Sequence, residues 1–114
     1  MSEAIGKKVW AFPDAFLPAE GHLYKTSSQG DQFGHESLCI INYDTKPVII
    51  TIDFLFEDQD PIENYTFTMN GKRSLHLRLD KLEVQSKKLP REKPYSIILK
   101  SNNEVVAQLS RLDT

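Results

Sequence analysis

The chain has 114 residues, of which 39% are hydrophobic and 26% charged, and its formal net charge is −2. That balance fits one globular domain spanning residues 1–114 and excludes a disordered chain. It also excludes a global basic field of the kind that attracts nucleic acid or membrane surfaces. A single cysteine, Cys39, excludes an intramolecular disulfide. No apolar run approaches the roughly 18 residues of a membrane span, and residues 1–8 lack the hydrophobic stretch of a signal peptide. A cytoplasmic location without membrane insertion is therefore expected.

Period-2 alternation of apolar and polar residues, the mark of half-buried strands, runs through the chain. Val9-Trp10-Ala11-Phe12 reads as a first strand, which makes Trp10 a core residue before it is a ligand-stacking one. Residues 12–33 hold Pro13, Pro18, Gly21 and Gly30 with few pattern signals, and read as a long surface loop. In His35-Glu36 the two side chains point to opposite faces of a strand. The run Leu38-Cys39-Ile40-Ile41 reads as a buried strand with an inert thiol. Asp44-Thr45-Lys46-Pro47 then links to a long strand with Val48, Ile50, Ile52, Phe54 and Phe56 on one face.

Asp58-Gln59-Asp60-Pro61 closes that strand, and Tyr65, Phe67 and Met69 mark the next one. Asn70-Gly71 predicts a hairpin turn of type I′, which needs φ > 0 at both residues. Beyond it, Leu75, Leu77 and Leu79 alternate with Ser74, His76, Arg78 and Asp80. Residues 82–93 form a polar connection. Tyr95, Ile97 and Leu99 share one face, and Val105, Ala107 and Leu109 share another, with Asn102-Asn103 expected to turn between them. The fold class is all-β, an antiparallel β-sandwich, jelly-roll-like, with little or no helix.

No constellation for catalysis emerges, and an enzyme is not expected. The histidines His22, His35 and His76 are far apart, so no metal site and no cofactor is expected. There is no nucleophile elbow and no Gly-rich phosphate loop. The acids Glu57, Asp58, Asp60 and Glu63 fall in a turn and read as a solvated loop. Charge is unevenly spread: residues 70–93 carry eight bases against three acids, and residues 53–63 carry five acids and no base. Lys72, Lys81, Lys87, Lys88, Arg91 and Lys93 therefore form a candidate nucleic-acid contact. On the strand face Ser74-His76-Arg78-Asp80, His76 and Arg78 make a platform for anionic or hydroxyl groups, because a guanidinium offers a fixed fork of donors.

Four stretches, in order, resemble the sensory rhodopsin transducer family. They are Ile5-Gly6-Lys7-Lys8-Val9-Trp10-Ala11, His35-Glu36-Ser37-Leu38-Cys39-Ile40-Ile41-Asn42, Arg73-Ser74-Leu75-His76-Leu77-Arg78-Leu79 and Ser110-Arg111-Leu112-Asp113-Thr114. The resemblance runs nearly end to end, although this sequence stops just after the Arg-Leu-Asp motif, where the family's first-described member continues. It implies a small jelly-roll-type β-sandwich, assembly into a homotetramer, a membrane photoreceptor or small sugar-like molecule as partner, and weak contact with DNA. By position it implies Trp10, His35, Glu36, Asn42, Arg73, His76, Arg78, Arg111 and Asp113 as the ligand- or partner-binding set. The function expected is a non-enzymatic, soluble signal-transducing or ligand-binding module. The alternatives are weak regulatory DNA binding through residues 72–93 and a purely structural role in oligomerisation.

Overall fold

The computed structural model describes residues 5–19, 24–26, 30–32 and 34–112. Ten strands and no helix occur among them: β1 (Lys7–Phe16), β2 (Tyr24–Thr26), β3 (Gly30–Gln32), β4 (His35–Asn42), β5 (Val48–Phe56), β6 (Ile62–Met69), β7 (Arg73–Arg78), β8 (Glu83–Val84), β9 (Lys87–Lys88) and β10 (Pro94–Leu112). A six-stranded antiparallel sheet runs in the order β6-β5-β10-β4-β7, with β1 also on β10. The pairs β2–β3 and β8–β9 stand apart from it.

The sheet curls because β10 serves both of its halves. The first part of β10, from Pro94 to Ser101, pairs with β1 and β5, and the part from Val106 to Leu112 pairs with β4. Arg111 stands opposite Glu36 in that second register, while Tyr95, near the strand's start, reaches the same Glu36 through its hydroxyl. The two parts of β10 therefore fold back over one core. A strand that changes layers through a bend is a known way of turning a sheet corner. The expected all-β antiparallel class is met, with the two layers being continuous through β10.

Alternation decides what lies inside. Val48, Ile50, Ile52 and Phe54 of β5 meet Ile97 and Leu99 of β10, Leu38 and Ile40 of β4, and Val105, all buried. Each such side chain contributes about 1.5–3 kcal/mol when withdrawn from water. Trp10, Phe12, Tyr65, Phe67, Leu75, Leu77 and Leu109 pack around this cluster, half-buried.

Three connections differ from the sequence reading. Asn70-Gly71 joins β6 to β7, which lie at opposite edges of the sheet, so it makes no hairpin, and neither residue has positive φ. Gly71 is required for another reason: a Cβ there would sit 2.1 Å from the Thr45 carbonyl oxygen. The two-residue turn with φ > 0 twice is instead Gln85-Ser86, between β8 and β9, with φ of 54° and 65°. Asn102-Asn103 lies at the bend inside β10 rather than between two hairpin strands. Residues 12–33 are not wholly loop either, since β1 continues to Phe16 and buries Ala15, with Leu17 and Pro18 buried just beyond it.

Three of the chain's passages between layers, at residues 43–47, 70–72 and 101–104, gather at one end, called the crossing end below. The amide of Asn42 ties them. Its Nδ2 donates to the carbonyls of Lys46, Asn70 and Met69 at 2.9, 3.1 and 3.4 Å, and its Oδ1 accepts from the Asp44 N–H. The Lys72 N–H donates to the Asp44 carbonyl, Asn103 Nδ2 to the Asp44 carboxylate, and the Ile49 N–H to Asn102 Oδ1. Hydrogen bonds from the Lys46 N–H and Asn103 to its carboxylate hold the Asp44 acid below the usual carboxylate range.

Asn42→Ala strands these buried partners and is expected to cost roughly 3 kcal/mol; urea denaturation measures it, and a loss within experimental error of zero would remove Asn42 from its role as the tie. Left-handed backbone at non-glycine residues is costly, so Gln85→Asn combined with Ser86→Gly is expected to stabilise the chain by about 1 kcal/mol. An unchanged or lower denaturation midpoint would contradict that turn assignment.

Candidate functional site

The residues singled out from sequence divide among three places. The first is the end opposite the crossings. Along β4 the pleat sends Glu36, Leu38, Ile40 and Asn42 inward and His35, Cys39 and Ile41 outward. Glu36 is thus carried into the core, where it is 1% exposed. Its carboxylate accepts from the Tyr95 hydroxyl at 2.6 Å and from the Phe16 N–H at 2.9 Å. Burial raises its pKa, and these two donors together with the Arg111 charge only partly offset that. Burial and the neighbouring carboxylate push the Tyr95 hydroxyl far upward, so it serves as a permanent donor.

Around this pair the loops are closed by guanidinium groups. Arg78 grips Asp80 with two bonds of 2.8 Å. Arg91 donates to the Pro18 and Gly34 carbonyls and lies 3.8 Å from Asp80. Burial works against ionising Asp80, but Arg78, aided by His35, holds its carboxyl below the usual range. The Arg111 guanidinium lies 5.9 Å from the Phe16 ring centroid. His35, Glu36, Arg78 and Arg111 are therefore brought together at this end, around the Glu36 and Asp80 carboxylates. Asp113 and His22 lie outside the described residues.

The second place is the crossing end, which holds Asn42, Arg73 and Trp10. Asn42 is buried and committed to the backbone as described. Trp10 is half-buried, with its indole N–H donating to the Val105 carbonyl at 2.9 Å and its ring stacked near Phe12. Arg73 is exposed, and its guanidinium makes only long bonds, to the Gly71 and Lys72 carbonyls.

The third place is the outer face of β7, β4 and the end of β10. Register sets His76, Cys39 and Gln108 in one row across the three strands, with Ser74, Ile41 and Val106 in the next. Because Cys39 is short, its row is low in the middle, and a groove of about 210 Å³ runs between the walls formed by His76 and Gln108. Cys39 is only half-buried and faces this groove, 4.0 Å from the Ser110 hydroxyl, so the expectation of a buried thiol is corrected. The groove offers an imidazole, a primary amide, hydroxyl and thiol groups, a mixture able both to donate and to accept hydrogen bonds. Gln108 was not singled out from sequence, because only cross-strand register makes it a neighbour of His76.

The basic stretch does not form one patch. Lys72 places its ammonium 3.5 Å from the Tyr43 ring centroid at the crossing end. Lys81, Lys87 and Lys88 are exposed near β8 and β9, Arg91 is held by carbonyls, and Lys93 is paired with Asp58 at 3.3 Å. Among the described residues no group of three or more His, Cys, Asp or Glu side chains gathers to hold a metal ion. No helix there is long and apolar enough to cross a membrane.

The family model described as Anabaena sensory rhodopsin transducer matches residues 5–114. Among solved structures, Thermotoga maritima 1070 is 44% identical, with 96% of this chain and 83% of that one covered and a TM-score of 0.78. The Anabaena sensory rhodopsin transducer itself is 25% identical, with 98% and 93% of the chains covered and a TM-score of 0.79. No curated protein sequence matches.

A glutamate whose folded-state pKa is raised contributes stability that is present below its ordinary value of 4.5 and is lost as pH rises through the raised value. Tyr95→Phe removes a donor that lowers the Glu36 pKa, so it moves that value further up. The substitution is expected to cost about 1–3 kcal/mol near neutral pH and distinctly less below the ordinary carboxylate value. Denaturation curves of both proteins across this range check it; a cost independent of pH would mean that the hydroxyl does not serve the carboxylate.

Proposed function

The chain belongs to the Anabaena sensory rhodopsin transducer family, and on that premise we propose that it is a non-catalytic signal-transduction module whose recognition site is the His76 groove. The family is one of signal transducers, which supports the first half of the reading. The second half rests on a single observation: His76, Cys39 and Gln108 share one row of an outward face, while the other motif residues are largely spent inside the scaffold. Glu36, Asn42, Arg78 and Trp10 hold loops and strands together, whereas His76 stands exposed beside Cys39 and Gln108.

The groove suits a small polar molecule carrying hydroxyl or carboxylate groups. Imidazole and amide donors meet its oxygens, and the Ser74 and Ser110 hydroxyls can reorient to donate or accept. A sugar or sugar acid has this chemistry. A ligand taken up there bridges β7 to β10 across β4, the strand that carries Glu36 and Asn42 to the two ends of the fold. Recognition at the groove is thereby linked to both ends through one rigid strand. A rhodopsin receptor as partner and assembly into a homotetramer belong to the same proposal, on the strength of family membership.

Thermal-shift and NMR titrations with sugars, sugar acids and inorganic phosphate test the reading. A binding ligand at a hundredfold excess over its Kd is expected to stabilise the fold by about 2.7 kcal/mol. The gain should vanish in His76→Ala and Gln108→Ala, with light scattering on the same samples reporting the assembly. If no compound stabilises the protein, or if the shifts persist in both variants, the groove is not the recognition site.

A further inference from the structure

We propose that the crossing end is a docking site for an acidic peptide segment of a protein partner. Lys7 and Lys8 open β1 at this end, Lys100 lies beside them in register, Lys46 and Lys72 belong to the passages between layers, and Arg73 opens β7. All six are exposed. Among the described residues the acids at this end are Asp44 and Glu104, and Asp44 is already occupied by the Lys46 N–H and Asn103 Nδ2. The three ion pairs among the described residues, Arg78–Asp80, Arg91–Asp80 and Lys93–Asp58, all lie at the opposite end. A concentration of cations with so little carboxylate nearby repels itself, and an anionic partner relieves that repulsion.

The apolar surface at the same place argues for a peptide. Ile41 and Tyr43, where β4 ends, are 44% and 48% exposed, while Ile49, on the other layer at the start of β5, is 50% exposed and lines a separate depression with Lys100. With Lys72, Arg73 and Ser74, the first two line a shallow depression of about 320 Å³. A segment with carboxylates beside apolar side chains fills both requirements: the Arg73 fork and Lys72 take the carboxylates, and Ile41 and Tyr43 take the apolar groups. A nucleic acid uses this surface poorly. Phosphates gain nothing from exposed isoleucines, and the Lys72 ammonium already covers one face of the Tyr43 ring on which a base would stack.

The depression shares Ile41 and Ser74 with the His76 groove but uses neither His76 nor Gln108, so the two readings can fail separately. The test is fluorescence anisotropy with a labelled peptide of alternating Glu and Leu or Phe, its Lys-for-Glu counterpart, and a duplex DNA. The acidic peptide is expected to bind, to weaken as salt rises, and to lose about tenfold or more in affinity when Lys72→Glu and Arg73→Glu are combined. Lys87→Glu with Lys88→Glu, and His76→Ala, should leave its affinity unchanged. Thermal melts establish that the exposed variants fold, and the neutral pair Lys72→Gln, Arg73→Gln serves if charge reversal impairs folding. The proposal is overturned by equal binding of both peptides, by no binding at low salt, or by unchanged affinity in the Lys72 and Arg73 variants. Tighter binding of the duplex, lost in those same variants, overturns it in favour of nucleic acid.

Discussion

One side-chain amide, that of Asn42, donates to three backbone carbonyls at the place where the chain passes repeatedly from one layer to the other. Passages between layers leave backbone groups without ladder partners, and a buried backbone group left unpaired costs as much as a lost hydrogen bond. Asn42 supplies donors where the β4–β5 and β6–β7 connections would otherwise present carbonyls to each other. Asn102 and Asn103 do the corresponding work at the bend of β10. Gly71 completes the arrangement by leaving room for the Thr45 carbonyl. Once these connections are held, β10 is free to serve both layers and to close one core.

The opposite end is held by a different chemistry, with charge in place of amides. Glu36 and Tyr95 connect β4 to the start of β10 across the core, and the Arg78–Asp80 pair with Arg91 fastens the surrounding loops. A buried carboxylate is tolerated only when donors reach it, and here a phenol and a backbone N–H do so. Among the described residues no buried side-chain polar atom lacks a partner. Both ends are therefore sealed by polar groups that face inward.

Two such surfaces differ in kind. The His76 face is a mixed donor and acceptor groove on three strands, suited to a small neutral or weakly anionic molecule. The crossing end combines exposed cations with exposed apolar groups, which suits a segment of another protein. They meet at Ile41 and Ser74, so occupation of one alters the boundary of the other. If the two proposed sites are occupied, they share a boundary on β4 at Ile41.

The sequence by itself determined the class of fold, because period-2 alternation in β5, β6, β7 and β10 leaves one face for the core and allows at most a short helix. It also determined that Glu36 and His35 face opposite sides, and that Trp10 belongs with the core, since both follow from local pleat and composition. Turn chemistry was less informative: Asn70-Gly71 has the composition of a tight hairpin, yet close packing against Thr45 is what requires its glycine, and Gln85-Ser86 makes the left-handed turn without any signal. The partnership of Glu36 with Tyr95 was not legible, since the sequence resemblance assigns Glu36 to a ligand and only the packing of the start of β10 across the core brings the two together. The row His76, Cys39 and Gln108, the gathering of cations at one end, and the folding back of β10 were decided only by tertiary structure. Each depends on register between strands distant in sequence, and that register is set by packing and crossing geometry rather than by any local preference of the chain.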